Sequence, residues 1–114
     1  MVYQEAYQLA LELHQETINR FPQHENYELG SQLRRASKSI AINIAEGYGK
    51  RTKESNKDFI RFLRIAQGSA DEVTVELNFC KDLDYLDQDS FEKYVDRCDK
   101  IGRQLTKLIQ ALKK

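Results

Sequence analysis

Apolar residues recur every three or four positions along almost the whole chain, and no stretch shows the strict alternation of a strand. The first stripe runs Tyr3, Ala6, Leu9, Ala10, Leu13, Thr17 and Phe21. Pro22 closes it, because the residue before a proline is pushed out of the helical region. The second runs Leu29, Leu33, Ala36, Ile40, Ile44 and Gly47; the third Phe59, Phe62/Leu63, Ala66, Ala70, Val73, Leu77 and Cys80; the fourth Phe91, Tyr94/Val95, Cys98, Gly102, Leu105, Ile109 and Leu112. Each holds one face apolar for about five turns. The connections, residues 22–26, 50–52 and 84–89, are short, and short links set neighbouring helices antiparallel. The pattern predicts an all-α protein, an up-down-up-down four-helix bundle forming one domain over residues 1–114.

Composition agrees: a single proline and five glycines in 114 residues leave the helix formers in command. No apolar run approaches the roughly 18 residues of a membrane span, and no basic-then-apolar leader opens the sequence, so cytoplasmic residence is expected. Cys80 and Cys98 fall within apolar stripes rather than in a CxxC pair, which predicts reduced, buried thiols.

The stretch AEGYGKRTK, residues 45–53, raises the possibility of a phosphate-cradling loop. A P-loop needs a glycine five residues before its Gly-Lys, after a strand. Here that position is Ile44, inside a helical stripe, so the nucleotide reading fails. Gly47 and Gly49 instead suit the left-handed close of a helix. Thr52 or Ser55 would cap the next, with Asp58 completing an S-x-x-D arrangement. The second helix should end within a residue or two of Gly49, and the third should start near Thr52 or Lys53.

Zero net charge conceals blocks. Residues 34–64 carry nine bases against three acids, residues 71–99 three against ten, and residues 100–114 five bases and no acid. Arg34, Arg35 and Lys38 lie on the outer side of the second helix. Lys50 and Arg51 lie at the corner, and Lys53, Lys57, Arg61 and Arg64 form one stripe of the third helix. Bases at this spacing can track phosphates and release counterions; the plainer reading is a solvated face. Further along the third helix the outer stripe becomes Gly68, Val75 and Phe79, while Ala41, Ile42 and Ala45 point away from the core stripe of the second. Such a cluster predicts a surface covered by another subunit.

Other chemistry is thinner. His14 and His24 lie ten residues apart and do not suggest a metal pair. Asn43 and Glu46, one turn apart, could act as an acid/base pair, but no nucleophile or second acid accompanies them. Asp82, Asp84, Asp87 and Asp89 lack the glycine and closing Glu of a calcium loop; Asp87 and Asp89 are better placed to cap the fourth helix. No metal and no cofactor is implied.

Two stretches carry a family likeness. QLRRASKSIAINIAEGYGK (residues 32–50) and FLRIAQGSADEV (residues 62–73) resemble the signature words of the bacterial four-helix-bundle proteins found in intervening sequences of 23S rRNA genes. That family is similar to the accessory protein of diversity-generating retroelements, which binds nucleic acid and a reverse transcriptase. The resemblance implies a homopentamer, associated with RNA and without enzymatic activity. It draws notice to Arg34, Arg35, Asn43, Glu46, Gly47, Gly49, Gly68, Ser69 and Glu72. Three functions therefore compete: an oligomeric scaffold binding RNA or DNA, an adaptor binding only protein, and a small enzyme using Asn43 and Glu46.

Overall fold

The four stripes wind into four helices, α1 (Val2–Arg20), α2 (Leu29–Gly49), α3 (Lys57–Asp82) and α4 (Gln88–Leu112), with a 3-10 turn at Gln23–Asn26. The computed structural model describes residues 1–113, with the side chain of Asn26 left aside. Among these residues there is no strand, and no helix is long and apolar enough to cross a membrane. Sequential helices pack side by side and α4 returns to α1, closing the bundle. Its long dimension is 49 Å.

The core follows the predicted stripes. Leu9, Leu13, Leu33, Ile40, Ile44, Phe59, Leu63, Leu77 and Leu105 are fully buried. Burying each such side chain contributes about 1.5–3 kcal/mol, the main force holding the helices together. In α4 the core residue is Ile101, whereas the expected Gly102 is only half-buried. Both cysteines are free and buried, and burial pushes each thiol up to about 12, so they remain protonated. Thr17, buried among apolar neighbours, keeps its hydroxyl satisfied: it donates to the His14 carbonyl at 2.9 Å and accepts from Arg34 Nη1 at 2.9 Å.

Two of the three connections differ in detail from expectation. α2 ends at Gly49 as predicted, but α3 begins at Lys57, not at Thr52 or Lys53. Residues 50–56 instead form a turn in which Thr52 Oγ1 accepts from the Ser55 N–H at 3.0 Å and donates to the Ser55 carbonyl at 3.1 Å. Ser55 Oγ then accepts from the Lys57 N–H at 3.0 Å, and Asp58 pairs with Arg61 at 3.6 Å rather than closing a capping box. The hydroxyls that could have started the helix hold the turn instead.

Neither Gly47 nor Gly49 takes a left-handed conformation. A Cβ on Gly47 would lie 2.9 Å from a ring carbon of Phe59 and 3.3 Å from its carbonyl, so this glycine permits α3 to approach α2 closely. Gly49 has open space around it. The left-handed residue is Asp84, with φ 64°, after the end of α3. The Tyr85 N–H reaches back to the Cys80 carbonyl at 2.8 Å and the Asp84 N–H to that of Lys81 at 3.0 Å, a Schellman close. α4 starts as expected: Asp87 accepts from the Ser90 N–H at 2.7 Å, which holds its carboxyl below the usual range.

Candidate functional site

The antiparallel order brings the start of α1, the end of α2, the start of α3 and the end of α4 to one end of the bundle. Asn56 Nδ2 donating to the Leu112 carbonyl at 3.1 Å ties α3 to α4 there. Lys50, Arg51, Lys53, Lys57 and Arg61 are all exposed at this end, and Lys107 and Lys113 join them from α4. At the opposite end sit Glu28, Asp82, Asp84, Asp87 and Asp89, all exposed. Part of each charge block of the sequence thus gathers at opposite ends of the long axis.

The nine predicted phosphate contacts do not form one surface. Lys50, Arg51, Lys53, Lys57, Arg61 and, one turn further on, Arg64 cluster at the basic end. Arg34, Arg35 and Lys38 lie toward the middle and far half of α2, with Arg34 engaged on Thr17 and Arg35 paired with Glu72 at 3.7 Å. Two bases at this end rest on aromatic faces, Arg51 at 6.0 Å from the Tyr48 ring centroid and Arg61 of α3 at 4.6 Å from that of Phe62. The contribution of α4 to this end went unnoticed in the sequence, although its acid-free tail signalled it.

The predicted self-association residues also fall into two groups. On α3, Val75 and Phe79 are 56% and 57% exposed, and Gly68 has open space around it. Ile42, 58% exposed, and Ala45 border a different feature, a groove of about 530 Å³ between α1 and α2. Ala41 does not point outward as expected: it is buried between the two helices, because its small side chain lets them approach. Tyr3, Tyr7 and Leu11 complete the groove wall from α1. Tyr7 and Leu11 are exposed and lie off the apolar stripe that holds the half-buried Tyr3.

The signature residues occupy the α2–α3 seam. Asn43 Nδ2 donates to the carbonyl and to Oγ of Ser39, at 2.8 and 3.0 Å, and Ser39 shares a 2.8 Å hydrogen bond with Ser69 across the seam. Both contacts of Asn43 are to Ser39 on its own helix, and Ser39 carries the link across to α3. Glu46 is exposed at one end of the α1–α2 groove. Glu76, overlooked in the sequence, is buried in the same seam with Oε1 unpartnered. Burial, then the neighbouring Glu72 carboxylate, pushes its carboxyl up to about 7, with Arg35 opposing. No group of three or more His, Cys, Asp or Glu among the described residues could hold a metal ion.

Comparison with known proteins agrees with this architecture. A crystal structure of a protein of unknown function from the S23 ribosomal protein family of Bacteroides thetaiotaomicron VPI-5482 superposes with a TM-score of 0.83. The two share 21% sequence identity, and the match covers 96% of this chain and 95% of that one, a likeness of fold. No curated protein matches the chain. The family described as 23S rRNA-intervening sequence protein matches residues 1–107, nearly the full length. This chain belongs to that family.

Proposed function

We propose that the protein is a non-enzymatic helical scaffold that assembles with copies of itself, five to a ring as the resemblance implies, and binds RNA through the basic end of the bundle. The observation that carries the reading is the gathering of Lys50, Arg51, Lys53, Lys57 and Arg61 at that end, where α4 adds Lys107 and Lys113. The family's link to intervening sequences of rRNA supports an RNA partner. One chain would bind weakly, but copies in a ring multiply the same contact and raise avidity. Contacts of this kind are electrostatic and tolerant of sequence. A cytoplasmic location fits an RNA partner.

The test is binding of a labelled single-stranded RNA across a salt series, wild type against Lys53→Glu/Lys57→Glu/Arg61→Glu. Each phosphate neutralised should contribute about −0.7 to the slope of log K against log salt. The triple variant should lose binding while keeping its helical signal. Equal binding by the variant, or no binding by wild type at low salt, would move the basic end to a protein partner.

A further inference from the structure

We infer that Glu76 and Glu72 share a single proton in the α2–α3 seam, and that losing this proton loosens the far end of the seam. The pair is a latch that responds to pH.

Glu76 is 7% exposed, on a stretch of α3 where Val73, Leu77 and Cys80 are fully buried. Among the described residues, no group donates to its Oε1. A carboxylate there lacks the hydrogen bonds that would offset its lost hydration, so burial favours the neutral acid. A neutral carboxyl has a proton to donate, and Glu72 can accept it. Glu72 precedes Glu76 by four residues, which sets both on one face of the helix, and their carboxyls lie within hydrogen-bonding reach.

The charged groups around the pair decide where the proton resides. On α2, Arg35 sits 3.7 Å from Glu72 and places its positive charge beside the outer carboxyl. Burial, then the Glu72 charge, disfavour the Glu76 anion more than Arg35 favours it. The Cys80 thiol on α3 stays protonated and adds no charge. Glu25 of the 3-10 turn acts on that thiol from the other side, and its negative sign further opposes a Glu76 anion. The next base on α2, Arg34, is engaged on Thr17 of α1. The closed seam therefore holds one proton and one guanidinium for two carboxyls, with the proton on Glu76.

Once the proton leaves, two adjacent carboxylates have one guanidinium between them, and one of the two is out of water. Parting of the helices at this point lets water in and relieves both costs. Glu76 is pushed up to about 7 in the fold from an ordinary 4.5. An opened seam restores the ordinary value, so the advantage of the closed seam is complete below 4.5 and is lost as pH rises through 7. The contact of Gly47 with Phe59 is remote from this event. Arg35 precedes Gly47 by twelve residues, about 18 Å of helix.

Two measurements test the latch. The first follows the carboxyl carbon of Glu76 by NMR across pH, where its midpoint is a property of the pair. Glu72→Gln should lower that midpoint by about one pH unit, and Arg35→Met should raise it by about one. Both substitutions fall on exposed side chains, so the fold is kept. A midpoint that stays in place in Glu72→Gln overturns the shared proton. The second is amide exchange, corrected for its intrinsic pH dependence. From about pH 6 to about pH 8.5, protection at residues 34–39 and 73–80 should fall about tenfold, while protection around Gly47 and Phe59 is unchanged. Glu76→Gln should erase the fall. No fall, an even fall across all four helices, or a fall that persists in Glu76→Gln overturns the latch.

Discussion

Along the α2–α3 seam short neutral side chains meet, where Ser39 joins Asn43 to Ser69 at the centre and Gly47 lets Phe59 lie against the α2 backbone, while the Arg35–Glu72 pair and the buried Glu76 lie toward its far end. Along the α1–α4 seam the chemistry is charged. Glu12 meets Arg97 at 2.7 Å and Lys93 at 3.5 Å, Glu5 meets Lys100 at 2.9 Å, and Tyr94 donates to Glu16 at 3.0 Å. Small residues fix the distance between helices but tolerate no added atom. Long charged side chains span a looser gap and adapt to it, and their attraction is screened by water and salt. One seam is a fitted joint and the other an adjustable one.

The largest break should come from filling the fitted joint. Gly47→Val should destabilise the fold by about 3 kcal/mol, since a branched side chain must displace both the Phe59 ring and its carbonyl. Gly49→Ala, with open space around it, should leave stability unchanged or raise it by about 0.5 kcal/mol through helix propensity. Chemical denaturation of both variants checks the pair. Equal effects would mean that close approach does not govern this seam.

Those two glycines also mark what the sequence could and could not reveal. The apolar stripes, the break at Pro22 and the Asp87 cap follow from periodicity and local chemistry, and all were readable along the chain. The reason for Gly47 lies across the seam, in Phe59, and no local pattern contains it. The start of α3 was misplaced because Thr52 and Ser55 satisfy each other in a turn, an outcome as local as a cap and equal in its sequence signal. Glu76 lies unmarked within an acidic block, although its spacing from Val73 and Cys80 puts it beside the core. The basic corner was legible as a set of residues, but only the packing of α4 against α3 defines its extent. The groove was hidden because its walls come from two helices.

Glu76 provides the second test of the seam. Its carboxyl has a folded-state pKa of about 7, above the ordinary 4.5. The folded state therefore holds the proton more tightly, an advantage complete below pH 4.5 and lost as pH rises through 7. Glu76→Gln should accordingly stabilise the protein by about 2 kcal/mol at pH 8, and the gain should vanish toward pH 4.5. Thermal melts of both proteins at the two pH values measure it. A gain that is independent of pH would show that shape, not ionisation, sets the cost.

The smallest effects separate the seams by their response to salt. Ser39→Ala removes neutral hydrogen bonds and should cost about 1 kcal/mol, the same at low and high salt. Glu12→Gln removes two partly exposed ion pairs and should cost about 0.5 kcal/mol at low salt, fading in 1 M salt. Denaturation curves at both ionic strengths decide it. Identical salt responses would erase the distinction between the joints.

The opposed poles of the bundle have a consequence for motion as well as for binding. A chain whose net charge is zero carries its positive and negative ends along a 49 Å axis, which gives it a large permanent dipole. A uniform field exerts no net pull on such a molecule, but it turns it. Near a polyanion the protein would rotate basic end first before any contact is made, so orientation is settled during the approach and fewer encounters are wasted. Near a polycation it would turn the other way round. Neutrality in this molecule means that it can be aimed in either direction.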